Sequence, residues 1–196
     1  MPTAAVAPKV TGGAGSHKAI DGLLVALDAV AAAPQGHLLL SARFNNDEII
    51  AYMRAVKKQL EARNIPVFVV EATVGQSFAD LTRIGLLRAK GMVAFCTSEY
   101  GAYTGVGYET FHELEFAHDH QLPLFPIRLC DEWPPAPQNN ERGIYQNQFV
   151  FKNSLMYIDD RQMTRAQWVA DQIAEAVAFM GIFGPKPRAT WLHRTF

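Results

Sequence analysis

Glu109 and Glu113 stand four residues apart, close enough to share one stripe of a helix. Phe111, Leu114 and Ala117 mark another, apolar face of the same segment. Glu113 lies off that face, so the spacing predicts a half-exposed carboxylate that reaches a crevice without opening the core. Two carboxylates a turn apart raise each other's proton affinity, which suits acid–base work or stabilisation of a cation. The same pair also reads as a solvated acidic face at a helix N-terminus, where the helix dipole favours negative charge.

Other reactive residue types carry weaker patterns. His112, His118 and His120 have acidic neighbours in Glu113 and Asp119. The run His-Glu-x-x-x-x-His is too long for a zinc-binding helix face, and His118 and His120 point to different faces. They read as surface histidines, and no metal is expected. Cys96 ends an apolar run and reads as a small core residue. Ser41 and Ser98 follow apolar runs without a paired histidine, which suits loop hydroxyls bonded to backbone. No Gly-x-Gly-x-x-Gly follows the first apolar run, and neither a phosphate-binding Gly-x-x-x-x-Gly-Lys-Ser/Thr nor a Gly-x-Ser-x-Gly elbow occurs. Rossmann-type dinucleotide binding, P-loop phosphoryl transfer and elbow-type serine hydrolysis are therefore disfavoured.

The elements that position these residues come from periodicity. Apolar runs at 37–41, 66–70, 92–96, 122–129 and 149–158 read as five strands. Pro123 and Pro126 give the fourth an irregular, edge-like course. Between the strands, Ile49, Met53, Val56 and Leu60 share a helical face behind an Asn45-Asn46-Asp47 cap. Phe78, Leu81 and Ile84 continue a helix to Lys90, behind a Ser77/Asp80 capping box. The helix with the glutamates runs from about Tyr108 to His120. The Pro- and Asn-rich stretch 131–147 reads as loop, and Trp168, Ile173, Val177 and Met180 mark a last helix. This alternation predicts an α/β fold: a doubly wound, flavodoxin-like, five-stranded parallel sheet in the order 2-1-3-4-5, with helices on both faces. Ligands of such folds bind beyond the carboxyl ends of the strands, at the topological switch point. The segments there are 41–46, 71–77, 97–113 and 128–133.

The chain has 196 residues, 49% hydrophobic and 19% charged, with net charge −1. That balance suits one globular domain and excludes wholesale disorder. A near-neutral chain without a Lys/Arg run is not built for phosphate-driven nucleic-acid binding. Two cysteines exclude a disulfide framework and a four-cysteine zinc site. No apolar run approaches the ~18–20 residues that a membrane helix needs. Residues 1–16 read as a flexible leader, 17–36 as an accessory helix and linker, 37–181 as the domain and 182–196 as a tail. In the accessory segment Ile20, Leu23, Leu27 and Val30 share a face. A secretory signal is the rival reading there, although Asp28 interrupts its apolar stretch.

The order of several short motifs resembles one known family. Leu40-Ser41-Ala42-Arg43-Phe44 resembles the end of the first box of Toll/interleukin-1 receptor (TIR) domains. Glu71-Ala-Thr-Val-Gly75 is similar to the loop where that family has an acidic residue and a glycine. Ser98-Glu-Tyr100 resembles its Ser-x-x-Tyr element. Glu113-Leu114 with Ala117, then Pro123 and Pro126, resembles its Glu-Leu-x-x-Ala helix and the strand beyond. The likeness runs from about Leu38 to Trp133. It departs at Glu109 and Thr110, where members often carry Trp-Cys, at Val74, where they carry proline, and in a longer Gly/Tyr loop at 97–107.

The resemblance implies either of two functions. Some members are NAD⁺ glycohydrolases in defence or stress signalling, cleaving the nicotinamide–ribose bond and in some cases cyclising ADP-ribose. Others are adaptors that only assemble with like domains. It places Glu113 at the catalytic position, with Glu109 in reserve, and Ser41, Arg43, Phe44, Gly75, Ser98, Tyr100 and Tyr108 around the substrate. NAD⁺ is then a substrate and no cofactor is required. Self-association and a cytoplasmic location, with neither nucleic acid nor membrane as partner, are further implications. Glu113-Leu-Glu-Phe-Ala117 followed by Leu-Pro-Leu is also similar to nucleoside 2-deoxyribosyltransferases, which use a helix glutamate as nucleophile. Their aspartate about six residues earlier is Gly107 here.

The Gly/Pro/Ala composition of residues 1–16 offers little apolar surface to offset ordering. A chain beginning at His17 is therefore expected to melt close to the full-length protein; a loss of several degrees contradicts this reading of the leader.

Overall fold

A computed structural model describes residues 36–70, 78–106, 109–152 and 154–184. In chain order the elements are β1 (His37–Ser41), α1 (Asp47–Glu61), β2 (Val67–Val69), α2 (Phe78–Arg88), β3 (Ala89–Cys96), α3 (Thr110–Asp119), β4 (Leu124–Arg128), α4 (Glu141–Val150), β5 (Ile158–Asp159) and α5 (Ala166–Met180). The five strands form one all-parallel sheet in the order β2-β1-β3-β4-β5, the α/β doubly wound arrangement that the alternation predicts. The leader, the segment 17–35, Glu71–Ser77 with its capping serine, Gly107, Tyr108 and the tail beyond 184 lie outside the described residues.

The strand period of two sorts side chains to the two faces. Leu38, Leu40, Val93 and Phe95 pack with Ile49, Met53 and Val56 of α1 and Val169, Ile173 and Val177 of α5. Leu39, Met92, Ala94 and Cys96 pack instead with Leu81 and Leu86 of α2, Leu114 and Ala117 of α3 and Val150 of α4. The three central leucines of β1 are almost wholly buried, each stabilising the fold by about 1.5–3 kcal/mol. Asn46 caps α1 by accepting from the Glu48 amide at 2.7 Å. Beyond β5, Tyr52 Oη donates to buried Asp160 at 2.6 Å. Asp160 also accepts from the amide and Nε of Arg165, both at 3.0 Å, which ties the start of α5 to α1.

The structure corrects the sequence reading in several places. Residues 141–150 form α4 rather than loop, and of the expected 149–158 strand only Ile158 pairs with the sheet, together with Asp159. Residues that favour loops sit in α4 because of what they meet. A Cβ on Gly143 would lie 2.7 Å from the Gly101 carbonyl, and buried Asn147 donates to the Tyr100 and Pro135 carbonyls at 2.7 and 2.8 Å. In α2 the buried residues are Leu81, Thr82, Gly85 and Leu86, while Phe78 is 42% exposed and β3 begins directly at Ala89. In α5 Trp168 and Met180 are exposed, and Val169, Ala170, Ile173 and Val177 carry the packing. Glu109 caps α3 from an extended conformation instead of lying within it. β4 is not an edge strand as Pro123 and Pro126 suggested: it lies between β3 and β5 and pairs with β3 in regular register, and Pro126 is tolerated because β5 pairs only with Ile127 and Arg128.

Gly101 locks the turn after β3. Its φ of +77° lies in the left-handed region, and a Cβ there would collide with the Asn147 side-chain oxygen. Gly101→Ala is expected to cost about 1–3 kcal/mol and to lower the melting temperature by several degrees. An unchanged melting temperature would show that α4 does not brace this turn.

Candidate active site

A cleft of about 260 Å³ opens at the carboxyl end of β1 and β2, where doubly wound folds bind ligands. Ala42, Arg43 and Phe44 line it after β1, Val70 after β2, and Phe78 and Thr82 from α2. Thr104, Val106, Glu109, Thr110 and Glu113 close it from the β3–α3 connection and α3. Phe44 and Phe78 are both partly exposed and border this cavity.

Glu113 lines this cleft but is not half-exposed: only 7% of the residue's surface reaches solvent. Its carboxylate accepts from Ser41 Oγ, across the gap between α3 and the end of β1. Burial disfavours the charged form and outweighs the Ser41 hydrogen bond, so its pKa is pushed up from 4.5 to about 7. Ser41 is itself buried, and its Oγ lies 2.7 Å from the hydroxyl of fully buried Tyr100.

Glu109 behaves in the opposite way. Its carboxylate turns back onto the preceding loop, accepting from the Thr104 hydroxyl and from the amides of Gly105 at 3.2 Å and Val106 at 3.4 Å. Burial alone would raise its pKa, but these hydrogen bonds more than offset it and hold it below the usual carboxylate value. The expected mutual effect of the two glutamates is therefore not what separates them. Desolvation raises one, and donated protons lower the other. His112 Nε2 stands 3.8 Å from Glu109, on the outer side of the helix.

The other residues singled out in the sequence divide between cleft and support. Arg43 and Phe44 reach the cleft, with Arg43 Nη1 directed at the Glu99 carbonyl at 3.5 Å. Tyr100 and Ser41 stand behind Glu113 and are not walls of the cavity. Ser98 is exposed and takes no part in the lining. Gly75 and Tyr108 lie outside the described residues. Sequence reasoning missed Phe78, Thr82, Thr104 and Val106. Phe78 carried a signal, since an aromatic in the first turn of a helix at the ligand edge need not belong to its packing face. Thr104 carried none, because its role depends on the path of the loop. Among the described residues no three His, Cys, Asp or Glu side chains gather in a way that could hold a metal ion. No described helix is long and apolar enough to cross a membrane. Neither a family model nor a curated protein matches the sequence.

A buried acid with a raised pKa makes stability depend on pH. Below pH ~4.5 Glu113 is protonated in both the folded and unfolded chain. As pH rises from there to about 7 the unfolded chain releases the proton and the folded one retains it, so stability falls. Above that range the full penalty persists, up to about 3 kcal/mol. Glu113→Gln keeps the shape without the charge. It is expected to melt several degrees above the wild type at pH 8, with the difference closing toward pH 4.5. A difference that is independent of pH contradicts the buried-carboxylate assignment.

Proposed function

We propose that this protein is an NAD⁺ glycohydrolase of the TIR type, with Glu113 as the residue that stabilises the ribosyl cation. The observation that carries the reading is the buried Glu113 carboxylate in the lining of a cleft at the ligand edge of the sheet. The motif order around Ser41, Tyr100 and Glu113 supports it. In the reaction the bond between ribosyl C1′ and the pyridinium nitrogen breaks. Its electron pair goes to nicotinamide, which leaves neutral and needs no acid. Positive charge develops on the ribosyl C1′ and ring oxygen, as in glycoside cleavage. Ionised Glu113, largely shielded from solvent, offsets that charge more strongly than an exposed carboxylate does. Water then adds to C1′ and loses a proton, giving ADP-ribose.

The rest of the cleft fits this assignment. Phe44, 45% exposed at the cleft, offers a ring to a flat, positively charged pyridinium. Arg43 offers a guanidinium to the pyrophosphate. Glu109, already committed to Thr104 and the loop amides, organises the wall rather than the reaction. NAD⁺ is a substrate, and no cofactor enters. Action in the cytoplasm and self-association with like domains belong to the same reading.

Nicotinamide release from NAD⁺ by the purified protein, measured by chromatography, tests the proposal. Glu113→Gln is expected to lower turnover ~100-fold or more, the size of a lost electrostatic stabiliser, and Glu109→Gln to lower it far less. Because the ionised form does the work, kcat/KM is expected to rise about tenfold per pH unit up to about 7 and then level off. Absence of cleavage even in concentrated, assembled protein favours an adaptor. Base exchange between deoxynucleosides in a parallel reaction favours the transferase chemistry.

A further inference from the structure

Tyr100 is completely buried yet brings a hydroxyl into the core. That hydroxyl lies 2.7 Å from Ser41 Oγ, and Ser41 donates to Glu113 Oε2. A serine hydroxyl has one proton to give and lone pairs with which to accept. With the Ser41 proton committed to Glu113, Tyr100 must be the donor in the other bond. We propose that Tyr100 is a positioning residue: by donating to Ser41 it holds the Ser41 proton on the Glu113 carboxylate and favours the ionised form. The consequence for catalysis rests on the NAD⁺-cleavage reading, whereas the hydrogen-bond chain does not.

Tyr100 is braced for such a role. Its carbonyl accepts from Asn147 Nδ2 at 2.7 Å, its amide donates to the Thr97 carbonyl at 3.1 Å and its ring tilts against Phe151 at 6.1 Å. Burial, with smaller effects from Cys96 and Glu113, drives its pKa well above the usual tyrosine value, so the phenol stays protonated and able to donate. Hydrogen bonds in a line polarise one another, and a bond to a charged acceptor gains most. If Glu113 takes up a proton the line can reverse, from Glu113 to Ser41 to Tyr100, but that state gains no charge-assisted bond. Loss of the Tyr100 hydroxyl therefore penalises the ionised state more. The titratable and charged groups around Glu113 among the described residues are Arg43 after β1, Cys96 and Tyr100 at the end of β3, and Glu109 ahead of α3. From α2 the cleft receives only the uncharged Phe78 and Thr82.

The test is the titration of Glu113 by carbon NMR of carboxyl-labelled glutamate, with Glu113→Gln assigning the resonance. In Tyr100→Phe the midpoint is expected to move up by at least ~0.5 pH unit, about a threefold change in the ionisation equilibrium. In Ser41→Ala it is expected to move at least as far, and adding Tyr100→Phe to Ser41→Ala is expected to change nothing further. An unmoved midpoint in Tyr100→Phe overturns the proposal, as does an equal shift with and without Ser41. Should Tyr100→Phe fail to fold, replacing the tyrosines with 3-fluorotyrosine, a stronger donor, reverses the sign. The midpoint then falls, and a constant midpoint is again fatal. These titrations need no substrate. A moving midpoint without NAD⁺ cleavage supports the positioning role and removes the activity; cleavage with a fixed midpoint does the reverse.

Discussion

The Ser41 hydroxyl donates to the Glu113 carboxylate inside the protein, across the gap between β1 and α3. Taking a carboxylate out of water is costly, and donated hydrogen bonds are what make it tolerable. Glu113 receives one such bond from Ser41, and its proton affinity rises toward neutrality. Glu109 and Asp160 show the contrast within the same chain. Each is buried, but Glu109 accepts from a hydroxyl and loop amides, and Asp160 from Tyr52 and Arg165. Both are held below the ordinary carboxylate value despite burial. Desolvation and the number of donors together separate a carboxylate that titrates near neutrality from two that stay ionised.

The parallel sheet makes the Ser41–Glu113 bond possible. β1 and β3 are neighbours, so the end of β1 and the turn after β3 lie side by side. The period of two puts Leu39 on the face covered by α2 and α3, and Ser41 follows it on that face two residues on. Tyr100 arrives from the turn after β3, and α4 secures that turn through Asn147, with Gly101 and Gly143 permitting the close approach. An element distant from the cleft thus fixes the hydroxyl behind Ser41.

The cleft combines groups that are useful together. Aromatic side chains, one guanidinium and one buried carboxylate converge at the edge where doubly wound folds bind ligands. On the proposed NAD⁺-cleavage reading, Phe44 meets the cationic ring and Glu113 offsets the charge that appears at the sugar during cleavage.

Local periodicity determined a good deal of this protein. Alternation at β1 and β3 and the spacing Ile49, Met53, Val56, Leu60 encode sheet and helix faces directly, because each repeat reflects the geometry of its own backbone. The apolar face of α3 and the place of Glu113 beside it were legible for the same reason. The burial of Glu113, the turning of Glu109 onto Thr104, the withdrawal of Tyr100 behind Ser41 and the helix at 141–150 were not. Each depends on groups far apart in the chain: Ser41 with Glu113, Asn147 with the Tyr100 carbonyl, Gly143 with the Gly101 carbonyl. Hydrogen-bond donors and desolvation act through space, so only the tertiary structure decides which carboxylate is left with a single donor.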